Sequence, residues 1–154
     1  MQPQDGIRTT PLLSMRYENG REQPGKVGGD FMSAKKILLV ENDDFYVEVI
    51  GTFVKLFLQH QIIAVRSFEE AFTRALSDNP DLILLDLESD GHQALELTEK
   101  MRDNCDTKRI PILALSQSEA RKDGALGRGC SAFLTKPFKV RELEAIINTL
   151  LGRP

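Results

Sequence analysis

Four short apolar runs in the sequence are each followed by polar residues that could bind a cation or an anion. These residues are Glu41, Asn42, Asp43 and Asp44 after one run, Asp86 and Glu88 after another, and Ser116 and Lys136 after two later ones. Mg²⁺ prefers oxygen ligands and keeps several waters, so one or two carboxylates and a carbonyl are enough to hold it. An aspartate can also act as a nucleophile towards phosphorus, while a lysine and a serine hydroxyl can stabilise charge on the transferred oxygens. The residue types therefore predict a site for a hard cation beside a phosphate-like group.

The apolar runs have the composition of strands that are covered on both faces. They lie at residues 37–40, 62–65, 82–85, 110–115 and 132–134, and none of them alternates polar with apolar residues. Longer amphipathic segments at about 44–59, 68–78, 92–104, 117–128 and 139–151 predict helices. Asp44 is the predicted N-cap of the first helix, and Ser67 with Glu70 forms a predicted capping box at the second.

Five strand–helix repeats predict an α/β fold with a doubly wound, five-stranded parallel sheet, because parallel strands need crossover helices of one hand. In open sheets of this kind, ligands bind outside the carboxyl ends of the strands. The polar residues that follow the strands are therefore expected to converge on one edge of the sheet.

Composition separates a leader from the predicted domain. Residues 1–34 hold 5 of the 11 glycines and 3 of the 7 prolines of the 154-residue chain and show no sustained apolar periodicity. We interpret 1–34 as a disordered leader and 35–154 as the folded domain. The residues from Met32 onward resemble the start of a protein, so residues 1–31 could be an upstream extension.

Charge and composition also exclude several function classes. A net charge of −3 gives no electrostatic footprint for nucleic acid or for an anionic membrane surface. No apolar run approaches the roughly 18–20 residues of a membrane span, and no secretory signal is recognisable at the start. Cys105 and Cys130 form no paired motif, so a reducing, cytoplasmic location is expected.

Four sequence strings give residues 35–154 a resemblance to the receiver domain of two-component response regulators, which has a flavodoxin-like (βα)5 fold. The strings are KILLVEN at 36–42, PDLILLD at 80–86, PILALS at 111–116 and FLTKPF at 133–138. A single acidic pair or a single Lys-Pro would be weak, but four ordered matches at strand ends are specific.

The resemblance implies a role for each matching residue. Asp86 would accept a phosphoryl group from a sensor histidine kinase or a phosphotransfer protein, and Lys136 would contact the phosphoryl oxygens. Ser116 and Phe133 would move together as a switch, and the bond between Lys136 and Pro137 would be cis. Mg²⁺ would be the cofactor, and its ligands would be Asp86, Asn42, Glu41 and the backbone carbonyl of Glu88.

Two residues depart from the family pattern. Asn42 stands where the family usually has a second acid, so Mg²⁺ is expected to bind more weakly. Asp43 could replace that acid only after a shift of one residue, because adjacent side chains of an extended segment point apart. Glu88 adds negative charge, which could repel phosphate or help to hold the metal.

The leading hypothesis is a stand-alone receiver that catalyses only its own phosphotransfer and dephosphorylation. The last predicted helix ends near Leu151, so no output domain is expected, and signalling would run through contacts with a downstream protein of unknown identity. Those contacts would use helix four, strand five and helix five. The first helix has more apolar residues than one buried face needs, which suggests a partner or homodimer surface.

Other interpretations remain open beside this one. The first is a pseudo-receiver, an interaction module that works without phosphorylation, and Asn42 and Glu88 motivate it. The second is a phosphatase of the haloacid-dehalogenase type, which Asp86-Leu87-Glu88 resembles only superficially. A flavin-binding protein of the same topology is disfavoured, because no phosphate-binding loop rich in Ser, Thr and Gly follows the first strand.

Overall fold

Strands and helices alternate regularly along the part of the chain that the computed structural model describes, residues 33–153. The strands are β1 (Lys36–Val40), β2 (Gln61–Val65), β3 (Leu82–Asp86), β4 (Ile112–Ser116) and β5 (Ala132–Thr135). The α-helices are α1 (Asp44–Thr52), α2 (Phe68–Asp78), α3 (Gly91–Asp103), α4 (Lys122–Arg128) and α5 (Val140–Leu150). A π-helical turn (Phe53–Phe57) continues α1, and a 3-10 turn (Glu119–Arg121) precedes α4.

The five strands form one parallel sheet in the order β2-β1-β3-β4-β5. The predicted α/β class and doubly wound parallel sheet are therefore confirmed. A compact unit begins at Ala34, next to the predicted domain boundary. The predicted disorder of the leader concerns residues that lie outside the described part of the chain, apart from its last two positions.

Each face of the sheet is covered by its own apolar core, because successive side chains of a strand point to opposite faces. Leu38, Ile83 and similar residues pack with α2, α3 and α4 on one face. Leu39, Leu84 and their neighbours pack with α1 and α5 on the other. Burial on both faces holds the central strands rigidly, and this fixes the positions of the residues at their carboxyl ends.

The prediction that all strands are covered on both faces is wrong for β2. Gln61 and Ala64 are exposed, and Ile62 and Ile63 are only partly buried. The reason is that β2 is an edge strand, paired on one side only with β1, so that the helices cover it incompletely.

The ends of α1 differ from the prediction. The N-cap is Asp43 and not Asp44: its Oδ1 accepts a hydrogen bond of 2.8 Å from the Phe45 N–H. Asp44 is instead the first helical residue and forms an exposed ion pair with Arg66. At the other end the single helix predicted to residue 59 becomes the π-helical turn, which leaves Phe57 exposed.

At the start of α2 the structure has the predicted N-cap of the capping box, without the return bond from the Glu70 side chain, and α4 is shorter than predicted. The Ser67 hydroxyl oxygen accepts a hydrogen bond of 3.1 Å from the Glu70 N–H at the start of α2, as a capping residue should. The helix predicted over 117–128 begins only at Lys122, after the 3-10 turn, and its C-cap is Gly129, whose φ of +120° suits glycine. No helix within residues 33–153 combines the length and the apolar character that crossing a membrane requires.

Candidate functional site

A cavity of about 260 Å³ opens where the carboxyl ends of β1, β3 and β5 and the loop after β4 come together. It is lined by Glu41, Asn42, Asp43, Asp86, Glu88, Ser89, Gln117 and Lys136. Most of the polar residues predicted to converge thus share one site. Two larger cavities, of about 430 and 500 Å³, lie along α1 and are lined largely by apolar side chains.

Lys136 is the centre of a buried ion triad. Its Nζ lies 2.9 Å from Asp86 Oδ1 and 3.0 Å from Glu41 Oε1, and the three side chains are at most 3% exposed. The ring of Tyr46 also faces this Nζ, 4.0 Å from the ring centroid. Burial opposes the ammonium charge, but the bonds to the two carboxylates outweigh it and raise the pKa of Lys136. The lysine is therefore a fixed cation between two acids that could not be buried together without it.

Backbone N–H groups orient the Asp86 carboxylate. Its Oδ1 accepts a hydrogen bond of 3.1 Å from the N–H of Glu88, and its Oδ2 accepts one of 3.3 Å from the N–H of Ser89. Asp86 is the last residue of β3, whose five residues are all buried. The carboxylate is thus held at the cavity by a rigid strand on one side and by its own loop on the other.

Glu41 is a buried acid of the triad, and its pKa lies above its usual value. Burial raises the pKa of its carboxyl group and the charge of Asp86 adds to this, while the hydrogen bond from Lys136 acts in the opposite direction. Its second oxygen, Oε2, accepts a hydrogen bond of 3.2 Å from the Asp43 N–H. Glu41 therefore ties the loop after β1 to Lys136.

Asn42 and Asp43 both line the cavity. The backbone carbonyl of Asn42 accepts a hydrogen bond from Arg66, and one carboxylate oxygen of Asp43 caps α1. Asp43 thus borders the cavity without a shift of the loop, while its ability to replace the acid missing at position 42 as a metal ligand stays a prediction. The chain turns into the helix at this point, so both residues border the same opening.

Glu88 makes contacts that the sequence did not predict. Its Oε2 accepts a hydrogen bond of 2.5 Å from the Ser116 hydroxyl and one of 2.6 Å from the Gln117 N–H. Partial burial opposes ionisation, but these two bonds and the nearby charges of Arg121 and Lys136 keep the pKa of Glu88 below its usual range. The prediction gave Glu88 a backbone carbonyl as a metal ligand and a carboxylate that adds negative charge to the site, but not the contact of that carboxylate with the end of β4.

Sequence reasoning missed Gln117 and Arg121 altogether. Gln117 contributes a backbone N–H, which any residue other than proline would supply, so no residue type marks it. The guanidinium of Arg121 donates a hydrogen bond to the backbone carbonyl of Leu87 and thereby joins the loop after β4 to the loop after β3. Arginine in a polar loop carries no signal for such a contact.

The two remaining predicted features concern β5 and the loop after it. The peptide bond between Lys136 and Pro137 is cis, as the resemblance implied. Phe133 is partly buried and packs against the core on the α2, α3 and α4 side.

The residues at the cavity suit a hard cation. Within residues 33–153, no group of three or more His, Cys, Asp or Glu side chains is arranged as a complete metal site. Asp86, Glu41, Asp43 and Asn42 nevertheless line one opening, and the side-chain ligands that they can offer to a cation are oxygens. Because Lys136 already contacts two of these acids, a cation here would be coordinated by few protein oxygens and by several waters. This is the coordination that Mg²⁺ typically has in proteins.

Comparisons with known proteins agree with this geometry. A family model for the response regulator receiver domain matches residues 37–148. The polar-differentiation response regulator DivK of Brucella ovis is 28% identical over 120 residues, which cover 77% of this chain and 97% of that protein.

Solved structures with the same fold are also known. The receiver domain of the sensor histidine kinase PA1611 from Pseudomonas aeruginosa PAO1, solved with a magnesium ion in its active-site cleft, has a TM-score of 0.68 and 29% identity, covering 78% of this chain and 99% of that one. The Vibrio cholerae chemotaxis protein CheY4 has a TM-score of 0.69 and covers 77% of this chain and 99% of its own, and at 20% identity it supports the fold alone.

Proposed function

The chain belongs to the response regulator receiver domain family, and we propose that it accepts a phosphoryl group on Asp86. The observation that carries this proposal is the position of the Asp86 carboxylate, 2.9 Å from the buried Lys136 ammonium and open to the cavity at the end of β3. A nucleophile fixed beside a cation is what transfer of a charged phosphoryl group requires.

In the proposed reaction an Asp86 oxygen attacks phosphorus in line with the bond to a histidine of the donor. The new oxygen–phosphorus bond forms as the phosphorus–nitrogen bond breaks, and the histidine nitrogen keeps the electron pair and takes up a proton. Lys136 stabilises charge on the transferred oxygens from one side, and the Ser116 hydroxyl does so from another. Attack of water on the same phosphorus later releases phosphate and restores the carboxylate, so the chain turns over only its own phosphoryl group.

Mg²⁺ is the proposed cofactor, and its chemistry is to neutralise charge on the phosphoryl oxygens when it is bound. The groups that would hold it are Asp86, Glu41, Asn42 and the backbone carbonyl of Glu88, with Asp43 as a further candidate. The magnesium ion in the active-site cleft of the Pseudomonas aeruginosa receiver domain supports the choice of Mg²⁺ as the cofactor.

The proposed output is a contact with another protein. Phosphorylation would move Ser116 and Phe133 together and alter the surface of α4, β5 and α5, where a downstream protein would bind. A sensor histidine kinase or a phosphotransfer protein would supply the phosphoryl group. We further propose that residues 35–154 act in the cytoplasm and that the exposed apolar residues of α1 and of the π-helical turn that continues it serve a partner or a homodimer.

Incubation with acetyl phosphate and Mg²⁺ tests the phosphoacceptor. We expect intact-mass spectrometry to show one added phosphoryl group, and Asp86→Asn should abolish it. Asp81→Asn is the matched control, since Asp81 lies just before the amino end of β3, where its carboxylate accepts a hydrogen bond from the Lys36 N–H. Absence of the adduct at saturating Mg²⁺, or its persistence in Asp86→Asn, would refute the proposal.

A second candidate function is an interaction module that does not need phosphorylation. The observation that favours it is the Glu88 carboxylate, which already holds the Ser116 hydroxyl at 2.5 Å without any phosphoryl group. This candidate predicts that a partner captured by the wild-type chain binds Asp86→Asn with the same affinity. A loss of partner binding in that variant would favour the phosphorylation switch instead.

A further inference from the structure

Two hydrogen-bond donors at the end of β4 converge on a single oxygen atom. The Ser116 hydroxyl and the Gln117 N–H lie 2.5 and 2.6 Å from Glu88 Oε2. Consecutive donors that point at one oxygen form a small binding subsite for an anion. Ser116 is completely buried, so the chain, and not solvent, must supply the acceptor for its hydroxyl.

Glu88 is held in this subsite by the same loop that orients Asp86. Its backbone N–H donates to Asp86 Oδ1, so the carboxylate in the subsite belongs to a residue that is itself bonded to the proposed phosphoacceptor. The Arg121 guanidinium binds the carbonyl of the preceding residue, Leu87, and also lies directly against Gly91. These contacts fix the loop on both sides of Glu88.

The subsite opens to the cavity that would receive a phosphoryl group. Asp86, Glu88, Gln117 and Lys136 line that one cavity. A phosphoryl group carried by Asp86 presents oxygens that need donors, and the pair at the end of β4 lies beside it. Two anions cannot share the same two donors at hydrogen-bond distance, because each donor offers a single hydrogen and like charges that close together repel.

We propose that the Glu88 carboxylate is an internal competitor that occupies this anion subsite and must leave it when Asp86 carries a phosphoryl group. The inference rests on the proposed function, because the competing anion is the phosphoryl group of Asp86. Glu88 then sets how readily the site is filled: while its carboxylate is in place, Ser116 and Gln117 offer nothing to an incoming oxygen. Loss of that carboxylate frees both donors.

Beryllofluoride, an analogue of the phosphoryl group, tests the competition in the full chain with Mg²⁺. Glu88→Ala removes the competing carboxylate, and Glu119→Gln is the control, because Glu119 is an exposed acid of the same loop that bonds Thr135 and does not line the cavity. We expect the apparent affinity for beryllofluoride to rise about tenfold in Glu88→Ala, which corresponds to about 1.4 kcal/mol. Glu119→Gln should stay within about twofold of wild type.

NMR of the Gln117 amide gives a readout that does not depend on beryllofluoride. Before any addition, the amide proton should resonate upfield in Glu88→Ala relative to wild type, since it loses a short hydrogen bond to a carboxylate. In that variant it should move back downfield when beryllofluoride binds. The Gln117 amide of Glu119→Gln should match wild type at every step.

The outcomes separate this inference from the proposed function. An unchanged Gln117 amide in Glu88→Ala, or equal affinities in wild type and Glu88→Ala, would overturn the competition while leaving Asp86 as acceptor. A similar gain in Glu119→Gln would overturn it as well, because the effect would then be one of general charge. If none of the proteins bound beryllofluoride, the proposed function would fail and the competition would fail with it.

Discussion

Replacing Lys136 by methionine should destabilise the fold strongly at neutral pH. Methionine keeps the length and the apolar stem of the side chain but removes the ammonium group that lies 2.9 Å from Asp86 and 3.0 Å from Glu41. Removal of one partner from a buried ion pair typically costs about 3–5 kcal/mol, because a buried charge is left uncompensated. Here two carboxylates lose their shared cation. The cost would be a large part of a total stability of about 5–15 kcal/mol.

Urea denaturation gives the measurement, with Lys122→Met as control because Lys122 is exposed. The pKa of Glu41 is already raised by burial and should rise further without the lysine. The folded variant would then bind protons that its unfolded chain does not. Its loss of unfolding free energy relative to wild type should therefore be largest at neutral pH and become smaller towards about pH 5.

A double-mutant cycle with Glu41→Gln tests the cause. In the wild-type background this change removes one partner of Lys136 and should destabilise the fold. In the Lys136→Met background it removes an unpaired charge and should recover stability, which gives an interaction of about 2 kcal/mol. If Lys136→Met costs less than about 1 kcal/mol at neutral pH, or if Glu41→Gln has the same effect in both backgrounds, the triad is not what compensates these buried charges.

Three further predictions concern a histidine, the metal ligands and two glycines. The pKa of His60 is lowered to about 4, mainly by burial, so the free energy of unfolding should fall by about 3 kcal/mol as the pH drops from about 6.5 to 4. Urea denaturation should show that His60→Gln removes this fall and that the control variant His92→Gln keeps it. Asn42→Asp should tighten Mg²⁺ about tenfold in an NMR titration, since one negative charge at roughly 5 Å from the ion contributes about 1.7 kcal/mol even in water. Gly129→Ala should cost about 1–3 kcal/mol on thermal unfolding, because φ is +120° and the new Cβ would meet an arginine side chain at 2.8 Å. Gly124→Ala, in open space within α4, should instead stabilise by about 0.5–1 kcal/mol.

The sequence carried enough information for the strands and for the buried acid at the end of β3. A strand covered on both faces needs continuous apolar residues, and this pattern marks Leu82–Asp86 and Ile112–Ser116 to within two residues. It could not tell which strand lies at the edge of the sheet, because order in space is decided by how the helices pack. Ile62 and Ile63 are as apolar as their counterparts in β1, and yet they are only partly buried.

The sequence also could not predict which of two similar neighbouring residues takes a given structural role. Asp43 and Asp44 are adjacent residues of one type, and which of them caps α1 depends on the point where the loop from Glu41 turns. The π-helical turn at Phe53–Phe57 has no sequence marker either, since its residues continue the apolar pattern of the helix. Contacts that use a backbone group, such as the Gln117 N–H, leave no trace in residue type.

Asn42 and Glu88 look like two separate departures in the sequence, but the cavity makes them opposite changes at one place. Asn42 removes one negative charge from the cavity lining, and Glu88 adds one to it. The lining therefore still holds four acids, Glu41, Asp43, Asp86 and Glu88, around the single Lys136. A cation that approaches this opening meets the same count of acids as it would with an acid at position 42 and a neutral residue at position 88.

The two arrangements differ in which acid could contact the cation directly. The Glu88 carboxylate is bonded to Ser116 and Gln117, so its charge would act on the ion from a distance. Mg²⁺ is therefore expected to bind more weakly only because one charged ligand is missing at position 42. The general attraction of the acidic cavity for a cation stays the same.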